Sequence, residues 1–338
     1  MKSIRYPRAF PMLVTAAVLL GSGAAKAEDP TLTLHNQSDA LFKGKTLAFL
    51  PQTLGSPAFD TWNYVLRHEA EALGMKYVVK DAGWNPTALT QALEGLIADK
   101  PDILVVNPPN VQLLSRQVKK AMDNGIYTIT IGLAGTQPAD AHVGGDWIAL
   151  AQDTANDIIK ECGAGSGKSG KVAVLQGMVT SAQNISMFNG LMETFKKDPS
   201  IKVVSTQATD WDQQKAFDIT SSVLQQNPDL CAAFVPYDVT ALGIGQAVKK
   251  AGLTGKVLVY TNGGGYQVAC DAVREGLFDR YWDWDAWGEG RSVMGVARTL
   301  MTLKVKPGSH PSIPTFSSWQ RVTKDNLSAA RCSSIPPS

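Results

Sequence analysis

The sequence predicts a duplicated α/β fold: two similar lobes, each a doubly wound parallel sheet. Three observations predict it. Short apolar runs of strand length alternate with segments of helical periodicity along most of the 338 residues. The links between them are short, which suits parallel strands joined by crossover helices that cover both faces. The series breaks once, after Ile131, and then resumes with the same rhythm.

The unit that sets the pattern is the first. Lys45–Pro51 is an apolar run of strand length, and Gln52–Pro57 is a loop of turn-forming residues. Phe59, Trp62, Val65, Leu66, Ala70 and Leu73 then recur at helical spacing until Gly74. Such a loop stands at the carboxyl end of a strand, where open α/β sheets bind their ligands. Before this unit, Thr31–Phe42 is polar and is expected to lie on the surface as a leader.

The remaining elements follow in order. Strands are expected at 76–80, 102–107 and 126–131, with helices at 87–98 and 111–124. Gly132–Val143 is rich in Gly, Ala, Thr and Pro, and reads as a crossing between domains. Asp146 can cap the helix 148–162. The second series places strands at 171–175, 201–206, 231–235 and 257–261, and helices at 185–197, 213–226, 241–251 and 266–274. Leu277–Asp285 and the helix 290–303 precede a tail broken by Pro307, Pro311 and Pro314, with a last short strand at 321–323.

Residues 1–27 are expected to be a signal peptide cleaved after Ala27. Lys2, Arg5 and Arg8 give a basic start, Met12–Gly21 is apolar, and Ala25-Lys26-Ala27 is a small-x-small cleavage site. An uncleaved anchor would need a longer apolar run. No cysteine adjoins the cleavage point to take a lipid, so an exported, periplasmic protein is expected. A formal net charge of +2 gives no reason to expect a nucleic-acid partner. Four cysteines in an exported chain permit two disulfides with three connectivities; four free buried thiols are the alternative.

Catalytic and cofactor motifs fail. Cys162–Ser169 imitates a phosphate loop, but it follows a helix and precedes a strand, the reverse of the order that points amides at a phosphate. His68-Glu69 lacks the second histidine of a zinc protease, since position 72 is Ala72. Asn262-Gly263-Gly264-Gly265 lacks the dinucleotide spacing. No nucleophile, base and orienter fall together, so binding without catalysis, cofactor or metal is expected.

The strand ends offer a different chemistry. Gln52, Ser56, Asn107, Gln183, Asn184, Trp211, Asp212, Tyr237, Asp238, Asn262 and Asp283 all stand there. Amides and carboxylates beside aromatic faces suit a polyhydroxylated ligand, because fixed polar groups pair with hydroxyls while rings stack on C–H faces. Singly, Asp238 is equally a helix cap, Asn262 a turn residue, and Trp282, Trp284 or Trp287 the packing of a domain junction.

At these residues the chain resembles the periplasmic solute-binding proteins of ABC transporters, of the pentose/hexose type that includes the ribose-binding and autoinducer-2-binding proteins. The resemblance runs from about Lys45 to Leu303. It is carried by Leu50-Pro51-Gln52 to Phe59, Val105-Val106-Asn107-Pro108, Val174–Gly177, Asn227-Pro228-Asp229-Leu230 and Asp238–Gly243. It implies a type I periplasmic binding protein-like fold whose two lobes are joined by a three-stranded hinge and close on the ligand. The crossings then fall near Gly135–Asp146, Asp283–Ala286 and Lys304–Ser312. The N-terminal lobe is 43–140 plus 286–304, and the C-terminal lobe 141–285 plus 305–338. All four cysteines then lie in the second lobe, and Cys162–Cys231 with Cys270–Cys332 is the pairing favoured. A membrane permease is the implied partner of a monomer; a sensor that presents the ligand to a receptor kinase or chemoreceptor is the alternative.

The departures from that family are informative. The Asp-Arg pair of ribose-type sites is replaced by Gly132-Leu133, and the arginine after Gly177 by Ile185 or a neighbour. The first-loop aromatic becomes Ala58, though Phe59 remains; an Asn becomes Tyr237 and an Asp becomes Asn262. The autoinducer-type lysine and aspartate are Gln52 and Gly132. Charge is lost and aromatic surface gained, so the resemblance implies a neutral sugar, polyol or cyclitol rather than ribose or autoinducer-2. Gln52, Ser56, Phe59, Asn107, Gln183, Asn184, Trp211, Tyr237, Asp238, Asn262 and Asp283 are the expected ligand residues. Trp211 is expected to stack on the ligand, and Asn262 and Asp283 to bond its hydroxyls.

Overall fold

A computed structural model describes Asp29–Ser334; the expected signal peptide lies outside the described residues. The chain divides by contacts into Met1–Gln37 and Ser38–Ser338. The first helix, α1 (Pro30–Phe42), spans the boundary, so the expected surface leader is helical. Its last residue, Phe42, is buried in the larger unit, with the Arg298 guanidinium 4.9 Å over its ring.

The first series runs β1 (Thr46–Leu50), α2 (Pro57–Ala72), β2 (Lys76–Val79), α3 (Pro86–Asp99), β3 (Ile103–Val106), α4 (Ser115–Asp123), β4 (Tyr127–Ile131) and β5 (Ala141–Gly145). β3 is buried on both faces, which explains its unbroken apolar run. Pro57 and Pro86 open α2 and α3, where a missing N–H costs nothing. The α4 helix is shorter than its periodicity suggests. Asn110 accepts from the N–H groups of Gln112 and Leu113, a turn that keeps 111–114 out of the helix.

The second series runs α5 (Trp147–Cys162), β6 (Lys171–Val174), α6 (Ala182–Phe195), β7 (Lys202–Ser205), α7 (Gln213–Gln226), β8 (Ala232–Val235), α8 (Asp238–Lys250), β9 (Leu258–Gly263), α9 (Gln267–Glu275) and β10 (Arg280–Asp283). Asp146 caps α5 as expected, accepting from the Ala149 N–H at 3.0 Å. The chain ends with α10 (Ala286–Thr302), β11 (Ile313–Ser317), β12 (Gln320–Val322) and a 3₁₀ turn, Lys324–Ala329.

The strands form two six-stranded sheets, in the orders β11-β5-β4-β3-β1-β2 and β12-β10-β9-β8-β6-β7. Every pair is parallel except β10 with β12. Sheet membership moves two expected boundaries. Residues 141–145 and 313–317, expected in the second lobe, are β5 and β11 of the first sheet, and α10 packs on α2 of the same lobe. The third crossing therefore falls at Ser318–Trp319, not between Lys304 and Ser312. The physical reason is composition. β5 carries Gly144 and Gly145, poor strand formers, and β11 contains Pro314, which an edge strand tolerates.

Both disulfides lie in the second lobe, with the favoured pairing. Cys162–Cys231 and Cys270–Cys332 each have Cα atoms 5.9 Å apart. The first ties the end of α5 to the residue before β8, across a separation of 69 residues. The unreduced, denatured protein is expected to show no reactive thiol. Replacing Cys162 and Cys231 together by serine should lower urea-measured stability by roughly 4 kcal/mol, because a long loop is freed in the unfolded chain. Unchanged stability would mean that the bond does not form in the folded protein.

Candidate functional site

A cavity of about 280 Å³ opens between the carboxyl ends of the two sheets. Its first-lobe wall comes from the loops after β1, β2, β3 and β4: Gln52, Ser56, Trp84, Asn107, Gly132 and Leu133, with Phe59 and Trp62 from the start of α2. The second-lobe wall is Trp147, Gln183, Trp211, Tyr237 and Val239, and Trp284 enters from the crossing between β10 and α10.

Seven aromatic rings dominate this wall. Phe59 meets Trp62 and Trp84 edge-on, with centroids 5.8 and 5.5 Å away. Trp284 lies 6.1 Å from Trp62 and 5.8 Å from Trp147, so one indole touches residues of both lobes. Trp211 meets Tyr237 edge-on at 6.1 Å. No Asp, Glu, Lys, Arg or His lines the cavity. Tyr237 stays a neutral phenol, because burial raises its ionisation above the ordinary value.

Polar groups are placed by bonds to one another. Gln52 donates to the Asn107 amide oxygen, and Asn107 donates to the Ile131 carbonyl. Gln183 donates to Asn262 at 3.1 Å. The hydroxyls of Ser56 and Tyr237 lie 3.0 Å apart, bonding one lobe to the other across the cleft. Gln52 and Gln183 retain an acceptor oxygen with no bond to either named partner, and such groups can pair with ligand hydroxyls.

Two glycines set the aromatic positions. Gly132 has φ +69°, and a Cβ there would stand 2.4 Å from Trp62 Cη2. Trp62 thus occupies the space that a side chain at position 132 would need. At Gly177 a Cβ would stand 2.1 Å from Trp211 Cζ3. Trp211 itself has φ +67°, disfavoured for a bulky residue, and is held by Thr240, whose hydroxyl donates to its carbonyl at 2.8 Å.

Of the residues expected from sequence, Gln52, Ser56, Phe59, Asn107, Gln183, Trp211 and Tyr237 line the cavity. Four do not. Asn184 accepts from the Gly177 N–H and donates to Gln176, fixing the loop under Trp211. Asn262 stands behind Gln183. Asp238 is buried, accepting from the Val239 N–H and the Tyr281 hydroxyl. Asp283 turns away from the cavity, accepting from Arg331 at 2.6 Å and from the Asp285 N–H at 2.7 Å. Asp283 and Asn262, expected to bond ligand hydroxyls, thus do not line the cavity in this structure. Both side chains are taken up by partners, Arg331 in the C-terminal segment and Gln183 in α6, that strand periodicity does not reveal. Trp62, Trp84 and Trp147 were not singled out. Trp62 reads as helix periodicity, and Trp147 falls between the cap Asp146 and the helix expected at 148–162; only Trp84, between a glycine and an asparagine in a loop, carries a usable signal.

Among the described residues no group of three or more His, Cys, Asp or Glu could hold a metal ion. Residues 47–304 match the family described as periplasmic binding protein domain. The chain belongs to that family. The periplasmic binding protein is 31% identical over 232 residues to the D-allose-binding periplasmic protein of Escherichia coli K12, covering 66% of this chain and 74% of that one. It is 26% identical over 219 residues to the ribose import binding protein of the same organism, covering 64% and 72%. Its fold matches the Caulobacter myo-inositol binding protein with a TM-score of 0.74 at 21% identity, covering 84% and 95%. A Burkholderia graminis solute-binding protein in complex with D-arabinose gives 0.76 at 19% identity, covering 85% and 98%. The two-sheet fold read from the sequence is thus that of the family.

Burial pushes the Asp238 carboxyl of this periplasmic binding protein up to about 7. A raised carboxyl stabilises the fold fully below its ordinary value of 3.8, and that contribution is lost as pH rises through about 7. His142 acts oppositely in the same range, since burial lowers its imidazole to about 4. Comparing the parent with Asp238→Asn cancels the histidine. The variant should gain stability relative to the parent between pH 4 and pH 8, by on the order of 2–4 kcal/mol in urea unfolding. A pH-independent difference would refute the buried, protonated carboxyl.

Proposed function

We propose that this chain is the solute-binding component of an ABC importer. It takes a small neutral polyhydroxylated ligand, a sugar, polyol or cyclitol, between its two lobes in the periplasm. The signal peptide is removed after Ala27, and the monomer delivers its ligand to a membrane permease. One observation carries the reading: a cavity walled by seven aromatic rings and neutral amides, with no ionised side chain. Flat rings match the C–H faces of a sugar ring or cyclitol, while Gln52, Ser56, Asn107, Gln183 and Tyr237 can meet its hydroxyls. A charged ligand would lose its water there without gaining a counter-charge.

The names of relatives agree in chemistry: D-allose for the Escherichia coli protein, and xylitol for a Mycolicibacterium smegmatis protein 25% identical to this chain. Opening the lobes would break the Ser56–Tyr237 contact and expose the indoles, so a bound ligand favours closure.

A thermal-shift panel of D-allose, D-ribose, D-arabinose, xylitol and myo-inositol, with D-glucuronate as anionic control, tests the class. A neutral member should raise the melting temperature more than the anion does. Calorimetry on Trp211→Ala should then show a ten- to hundredfold weaker affinity, about 1–3 kcal/mol, for the loss of one stacking ring. Preferential binding of the anion would overturn the reading.

A further inference from the structure

We propose that Arg331, in the C-terminal segment, is a positioning residue of the binding cavity: it fixes the crossing Asp283–Asp285 so that Trp284 stands in the wall. The proposal rests on the ligand reading of that cavity. Trp284 is 4% exposed and lies between Trp62, Trp147 and Tyr266, the last 6.5 Å away. Its two chain neighbours are carboxylates, and one guanidinium grips both. Arg331 Nε donates to Asp283 Oδ2 at 2.6 Å, and Nη1 donates to Asp285 Oδ2 at 2.9 Å.

Both carboxylates need that grip. Asp283 is fully buried, and without Arg331 its charge would have no counter-ion. Asp285 has φ +59° and ψ +67°, a left-handed conformation that a non-glycine residue keeps only when its surroundings enforce it. Its other oxygen caps α10, accepting from the Gly288 N–H at 3.0 Å. Cap and guanidinium together hold this turn.

The arginine is itself fastened. Cys332, next in the chain, is bonded to Cys270 of α9. Ser333 pairs through its backbone with Gly265 and Gln267, and its hydroxyl accepts from Trp287 Nε1 at 2.8 Å. Gly265 belongs to the second lobe and Trp287 to α10 of the first, so the segment is tied to both beside the crossing. A planar fork suits two carboxylates on either side of one residue; a lysine ammonium offers a single point charge.

The test uses the full chain labelled with 5-fluorotryptophan. The Trp284 fluorine resonance is assigned by its loss in Trp284→Phe. Arg331→Gln should shift or broaden that resonance without ligand, while Arg331→Lys should restore it in part. Arg321→Gln, which breaks the separate Arg321–Asp157 pair, should leave it in place. For D-allose, or whichever neutral panel member binds, the affinity of folded Arg331→Gln should fall tenfold or more. An unmoved Trp284 resonance, an equal shift in Arg321→Gln, or unchanged affinity despite a shift would overturn the proposal. If the parent binds no neutral panel member, the ligand reading fails while the resonance still decides the positioning. Should Arg331→Gln not fold, Asp285→Asn removes one partner of the guanidinium and reads the same resonance.

Discussion

The packing of Trp284 between Trp62 and Trp147 is the contact on which the site depends. The three indoles come from the crossing into α10, from the second turn of α2, and from the first residue of α5. Two passages of the chain between lobes thus meet at one aromatic cluster, and the cavity is the space it leaves open.

Charge is present close to this cavity but kept behind its surface. Asp238 and Asp283 each immediately follow or precede an aromatic wall residue, yet both side chains face inward, Asp238 to Tyr281 and Asp283 to Arg331. Glu289 is also buried; desolvation raises its carboxyl well above the ordinary range, and Ser317 donates to it at 3.1 Å. These groups are neutralised by a proton or paired with a cation. The cavity wall therefore presents amides, hydroxyls and rings, with no ionised side chain among its lining residues.

Local pattern made most of the fold legible. The run Leu104-Val105-Val106 has the length and β-branched composition of a strand buried on both sides, and the spacing of Phe59, Trp62, Leu66 and Ala70 marks the buried face of α2. What local pattern could not show was pairing over long distances. β5 is short and glycine-rich, and β11 is an edge strand containing proline; β5 is held between β4 and β11, and β11 by β5 alone. The site was legible to the same depth. Gln52, Asn107 and Tyr237 follow strands and face the cleft because loops at the carboxyl ends of parallel strands must. Asp283 has the same sequence context, but a guanidinium 48 positions later turns its side chain away.

The glycines carry the last step of the argument. The resemblance to ribose-type sites would put an aspartate at position 132, and a glycine there could simply have enlarged the cavity. Instead the backbone turns left-handed there, and the edge of Trp62 fills the space a side chain would need. Gly177, without a left-handed turn, leaves the same room for Trp211 in the other lobe. Each indole therefore depends on a missing Cβ across from it, and restoring a side chain at either position would displace a ring before it added any contact. Gly132 thus does two things at once: it leaves the position without a side chain of its own, and it admits the indole of Trp62 into the cavity wall.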